Sequence, residues 1–160
     1  MTEQMGAPGT MTGPVIHVLA QYVKDLSFEN PGAPDSLRAG APAPNIDLGI
    51  DVAARATPNV QDAFEVSLRL AARANRDGDA VFIAELDYCG LFQLSEVLAE
   101  QIEPVLLIDC PRLLFPFARR MLAEVIREGG FPPLLIDPVD FAALFANQMQ
   151  QREAAASPAS

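Results

Sequence analysis

The sequence has no tryptophan, two tyrosines, two cysteines and one histidine among its 160 residues. A lone His17 beside Cys89 and Cys110 cannot complete a Cys/His zinc site, and no CxxC pair is present. No nucleophile signature surrounds His17, and the cysteines stand in apolar or proline-flanked contexts, so all three read as structural rather than catalytic. Phosphate-cradling loops of the GxxxxGK[ST] or GxGxxG kind are missing, and so is EF-hand spacing. No apolar run approaches the ~20 residues of a membrane span. Residues 1–14 carry neither a basic nor a hydrophobic signal region. Basic charge is scarce as well. Eleven Lys and Arg face twenty-one Asp and Glu, a net charge of −10, which repels nucleic-acid backbones and favours basic partners. These absences favour a binding protein over an enzyme. They predict no cofactor, no metal, no membrane insertion and a cytoplasmic, reducing setting.

What is present divides into two halves. The first alternates with period two, as half-buried strands do. Strands are predicted over 15–28, 45–52, 63–70 and 80–88. In the first, Ile16, Val18, Ala20, Tyr22, Leu26 and Phe28 share a face, with Lys24 interrupting it; Val15, Leu19 and Val23 interrupt the polar face. The segment NRDGD at 75–79 predicts a tight hairpin, because Asp-Gly accepts positive φ. The link from Glu29 to Pro44 holds Pro31, Pro34, Pro42 and Pro44, which predicts a long extended crossover. Carboxylates at alternating positions, Asp47, Asp51, Glu65, Glu85 and Asp87, read as a solvated sheet face.

The second half has helical spacing. A short helix is predicted around 98–108, and a longer one over 111–128 with Pro111 in its first turn. Leu114, Phe117, Ala118, Met121, Leu122, Val125 and Ile126 make its apolar stripe; Arg119, Arg120 and Glu124 face elsewhere. Gly129 and Gly130 end it. Asp137 is the expected cap of a third helix, with Pro138 at its first position and Phe141, Leu144, Phe145 and Met149 on one side. Strands followed by helices predict an α+β fold: a four-stranded antiparallel sheet with one long crossover loop and helices on one face. Tails without structure are expected at 1–14 and 152–160, around one domain at 15–151. Apolar segments such as FPPLLI at 131–136 exceed what one core of this size absorbs, which marks subunit contacts or a binding groove.

Two long stretches, QYVKDLSFENPGAP at 21–34 and CPRLLFPFARRMLAEVIREGGFPPLLIDPVDFAALF at 110–145, resemble the SecB protein-export chaperone family. The resemblance runs in order over about residues 15–151. It implies a homotetramer, a dimer of dimers, that binds unfolded preproteins without ATP and delivers them to the SecA ATPase. It also implies a SecA-docking face at Asp25, Glu29, Ile83 and Glu85. An unfolded-substrate groove is expected at Leu37, Phe131, Leu134, Phe141 and Phe145, and a tetramer interface at Arg119, Arg120 and Glu124. The crossover here reads RAGAPAP where the family's best-known members carry a tryptophan. The alternative is a SecB-like chaperone dedicated to one client, such as an antitoxin.

Overall fold

A computed structural model describes residues 13–156. Four antiparallel strands, β1 (Val15–Glu29), β2 (Asn45–Ala56), β3 (Ala63–Arg76) and β4 (Asp79–Ser95), form one sheet in the order β1-β4-β3-β2. Each runs past the alternating segment that predicts it, most of all β4, which continues through Gly90 to Ser95. The β3–β4 hairpin closes on Asp77 and Gly78, both at positive φ (53° and 84°), with Arg76 paired to Asp79. The expected crossover joins β1 to β2, from one edge of the sheet to the other. Arg76 pins it by donating from Nε to the Pro42 carbonyl (2.6 Å) and from Nη1 to that of Ser36 (3.3 Å).

One helical run, Ala99 to Glu128, replaces the two predicted helices: α1 (Ala99–Pro104), a π-helical turn at Val105–Asp109, and α2 (Cys110–Glu128). Pro111 has no N–H to give an ordinary helical bond, and the chain widens just before it, where the Cys110 N–H reaches back to the Val105 carbonyl. Helix α2 lies on β4 and β3. Leu114, Leu122 and Ile126 pack there on Leu68, Leu70, Phe82 and Phe92, each no more than 1% exposed. Burying each such side chain contributes roughly 1.5–3 kcal/mol. Phe115 and Ala123 belong to the buried stripe; Phe117, expected on it, is 50% exposed.

The close approach of α2 to the sheet requires Gly90. A Cβ there would stand 2.5 Å from the Phe92 ring and 2.9 Å from Leu114. At its far end α2 stops as the Gly-Gly pair predicts, although only Gly130 is left-handed (φ 95°). The crossover docks on this bare corner: Phe28 lies over Gly129, Leu37 over Gly130, and Asn30 donates to the Gly129 carbonyl (3.0 Å).

Helix α3 is Phe141–Ala156. Its cap is Asp140, whose carboxylate accepts from the Ala143 N–H (3.0 Å), not Asp137; Pro138 lies outside the helix, which starts one turn later than expected. The helix also occupies 152–156, where a structureless tail was expected; residues 1–12 and 157–160 of the expected tails lie outside the described residues. Among the described residues no helix is long and apolar enough to cross a membrane.

Candidate binding faces

The sheet has one face under α2 and one open face. Strand β1 joins them differently from the simple alternation because of two register breaks, at Leu19 and at Lys24. Each extra residue reverses the side to which the following residues point. Ile16, Val18, Val23, Leu26 and Phe28 therefore share the helix side, paired with Leu94, Phe92, Tyr88, Leu86 and Ala84. Ala20 and Tyr22, expected with them, turn to the open face opposite Leu91 and Cys89. The bulges also blunt β1 as an exposed edge.

On the open face, β1 and β4 assemble the predicted docking residues. Glu29 stands directly opposite Ile83, Ser27 opposite Glu85, and Asp25 opposite Asp87. Asp25, Glu85 and Asp87, with Arg69, line a shallow hollow of about 450 Å³. Four residues scattered over the sequence thus form one patch, with Ile83 half-buried among carboxylates. Sequence reasoning missed the supporting groups. Asp87 accepts from the Ser67 hydroxyl and from the Cys89 thiol (3.4 Å), and Arg69 lies 3.4 Å from its other oxygen. Arg73 lies 3.7 Å from Glu85.

One turn of the sheet away, Glu65 is buried (8% exposed) and collects three donors from two other strands. The Tyr22 hydroxyl bonds Oε2; Lys24 Nζ and Arg55 Nε each donate to Oε1 at 2.9 Å. Arg55 foremost, then Tyr22 and Lys24, hold the Glu65 carboxyl down at about 2. Burial, reinforced by the bond to Glu65, pushes the Tyr22 hydroxyl well above the usual tyrosine range. The Lys24 bulge delivers its ammonium to this cluster. Burial also raises the thiols, Cys89 to about 11 with help from Asp87, and Cys110 to about 12 with help from Asp109. Neither is a poised nucleophile.

On the helix side the sheet is incompletely covered. Val18, Val23 and Leu26 are each more than 40% exposed. Beside them α2 turns out Leu113 (43%) and Phe117 (50%), whose ring stacks at 6.4 Å on Tyr88. Leu113, Phe117, Arg120 and Glu124 follow one helical stripe, polar at its far end, where Arg120 and Glu124 pair at 3.0 Å. Arg119 is half-buried off that stripe and, with Arg120, Arg127, Pro133 and Leu135, lines a hollow of about 340 Å³. The residues expected to line a substrate groove divide. Leu37 is 42% exposed; Leu134 and Phe145 are half-buried. Phe131 (8%) and Phe141 (1%) are core, one against Phe82 (4.8 Å) and the other edge-on to Phe115 (5.9 Å).

Comparison with known proteins agrees with this architecture. The family model for SecB, described as preprotein translocase subunit SecB, matches residues 10–152. A protein-export protein SecB from Maricaulis maris is 62% identical over 89% of this chain and 82% of its own. Those from Hyphomonas neptunium (61%, 86% and 81%) and Caulobacter vibrioides (55%, 86% and 83%) are similar over nearly the same span. Among solved structures, a Mycobacterium tuberculosis SecB-like chaperone in complex with an antitoxin peptide shares the fold, with a TM-score of 0.64 at 18% identity over 78% of this chain and 90% of that one.

Proposed function

The chain belongs to the SecB family of protein-export chaperones, and from that premise we propose that it works as a cytoplasmic homotetramer that holds unfolded preproteins without ATP and passes them to SecA. The observation that carries this reading is the separation of two unlike surfaces on opposite sides of one sheet. The helix side leaves aliphatic and aromatic groups in water, and the open side gathers carboxylates around Ile83.

Apolar contact is non-directional, at about 25 cal/mol per Å² removed from water, so it suits clients of many sequences. Several such sites on one assembly raise the effective concentration of a bound chain and turn weak contacts into slow release. Leu37, Leu134 and Phe145 are the accessible members of the groove, and Phe131 and Phe141 are the packed floor that positions them. Subunits associate through the α2 stripe of Leu113, Phe117, Arg120 and Glu124, together with Val18, Val23 and Leu26 of β1. Asp25, Glu29, Ile83 and Glu85 on the open side then receive a basic segment of SecA; complementary charge speeds encounter and discriminates partners.

Refolding of a denatured precursor, followed with and without the protein and in the absence of nucleotide, tests the holding activity. The expected result is a delay at equimolar tetramer, and unaltered refolding would refute it. Capture from cytosol separates a general carrier, which retains many precursors, from a dedicated chaperone, which retains one client.

A further inference from the structure

The open face is not simply acidic. Beyond the Glu65 cluster, which holds Lys24 and Arg55, two arginines, Arg69 and Arg73, lie on β3, between the carboxylates of β4 and those of β2. Toward β4, Arg69 lies 3.4 Å from Asp87 and Arg73 lies 3.7 Å from Glu85. Toward β2, Asp51 stands directly opposite Arg69 and Asp47 directly opposite Arg73. Each arginine thus has two carboxylates within the reach of one side chain, one on either neighbouring strand. Both arginine side chains are mostly in solvent, 65% and 63% exposed, so they can turn without disturbing the core.

This arrangement bears on docking. A cationic partner that approaches Asp25, Glu29 and Glu85 meets, in Glu85 and the adjoining Asp87, carboxylates already partly neutralised from within. Resting on the reading of that patch as the SecA-docking face, we propose that Arg69 and Arg73 are internal counter-charges that a basic partner displaces from Asp87 and Glu85 onto Asp51 and Asp47. The β2 aspartates, on the far edge of the sheet from β1, thereby set the affinity of a surface they do not touch. Without them, displacement would leave two guanidinium groups paired with water alone; with them, each regains an ion pair, Arg73 exchanging one exposed pair for another and Arg69 leaving Asp87, 13% exposed and still held by Ser67. An exposed pair changes an equilibrium by a factor of about two to five, so two pairs acting together span a measurable range.

Titration calorimetry of the full-length protein with SecA at low salt tests this. Arg69→Gln/Arg73→Gln is expected to tighten binding about five- to twentyfold. Arg38→Gln, which removes one charge, as Arg73→Gln alone does, at an exposed site in the crossover, is expected to tighten it less than about twofold. Asp47→Asn/Asp51→Asn is expected to weaken binding about two- to fivefold in the wild-type background and to have almost no effect once both arginines are glutamine. Arg73→Gln alone, a change at one solvated side chain, gives the same reading if the double variant folds poorly. Tightening by Arg73→Gln no greater than that by Arg38→Gln would overturn the inference, as would equal weakening by the aspartate changes in both backgrounds. Failure of the wild-type chain to bind, or an unaltered affinity in Glu85→Gln, would instead refute the docking reading on which the inference rests.

Discussion

Replacing Glu65 by glutamine should destabilise the protein in a way that disappears in acid. The substitution keeps the shape and removes the charge; it also turns an NH2 group toward side chains that are themselves donors, Tyr22, Lys24 and Arg55. Holding a carboxyl at about 2 instead of 4.5 corresponds to roughly 3 kcal/mol of folding free energy at neutral pH. Lys24 and Arg55 are 45% and 65% exposed, and water screens both. We therefore expect a loss of about 1–2 kcal/mol. In urea this lowers the midpoint by about 0.5–1 M for a chain of this length. The sign follows from the depressed pKa. The stabilisation is fully present above the ordinary carboxyl pKa of 4.5 and is lost as the pH falls through about 2. The gap between wild type and Glu65→Gln should therefore be largest at pH 7, less than half as large at pH 3, and nearly closed at pH 2. Protomer concentration is held fixed throughout, so that any self-association enters both variants alike. Equal midpoints at pH 7, or a gap of the same size at pH 7 and pH 3, would refute the account of Glu65 as the ionised tie between β1, β2 and β3.

Other perturbations read other layers. Gly90→Ala forces a methyl group against Phe92 and Leu114; it should cost about 1–3 kcal/mol and lower the melting temperature by roughly 3–10 °C, and a melting temperature within about 1 °C of wild type would mean that α2 lifts freely. Cys89 and Cys110 are both fully buried, with thiols raised to about 11 and 12; a disulfide reagent at pH 7 should label them only at the rate of unfolding, and labelling within seconds would contradict their burial. Phe117→Ser should shift sedimentation toward smaller species while leaving the circular dichroism of the sheet intact, because its ring is half in water; an unchanged sedimentation coefficient would remove Phe117 from the subunit contact.

Local chemistry made much of the fold legible in the sequence. Period-two alternation locates the four strands, Asp77-Gly78 places a hairpin that needs two positive φ values, and the proline-rich link from Glu29 to Pro44 becomes the crossover. Less legible were features that depend on register. Counting every second residue assumes that no strand carries an extra one, so the bulges at Leu19 and Lys24 put Tyr22 on the wrong face; the apolar Val15, Leu19 and Val23 on the supposed polar side were the available sign. Glu65 looks like any alternating surface carboxylate until pairing brings Tyr22, Lys24 and Arg55 to it from strands far apart in sequence. Asp137-Pro138 and Asp140 offer competing helix starts, and only the bond from Ala143 decides between them. Of the candidate site, the resemblance to SecB supplied Asp25, Glu29, Ile83 and Glu85 as a set, and the β1–β4 pairing supplies the physical reason that they form one surface.

The order β1-β4-β3-β2 has a consequence for how the molecule is made. The ribosome releases Val15–Glu29 ahead of the other strands, yet every residue that pairs with it in the sheet lies between Ile83 and Ser95. While β2, β3 and β4 zip together through short turns as they emerge, the earliest-born strand waits unmatched, with Val18, Leu19, Val23 and Leu26 in water. A member of an export-chaperone family thus passes, during its own synthesis, through the exposed condition that chaperones exist to cover.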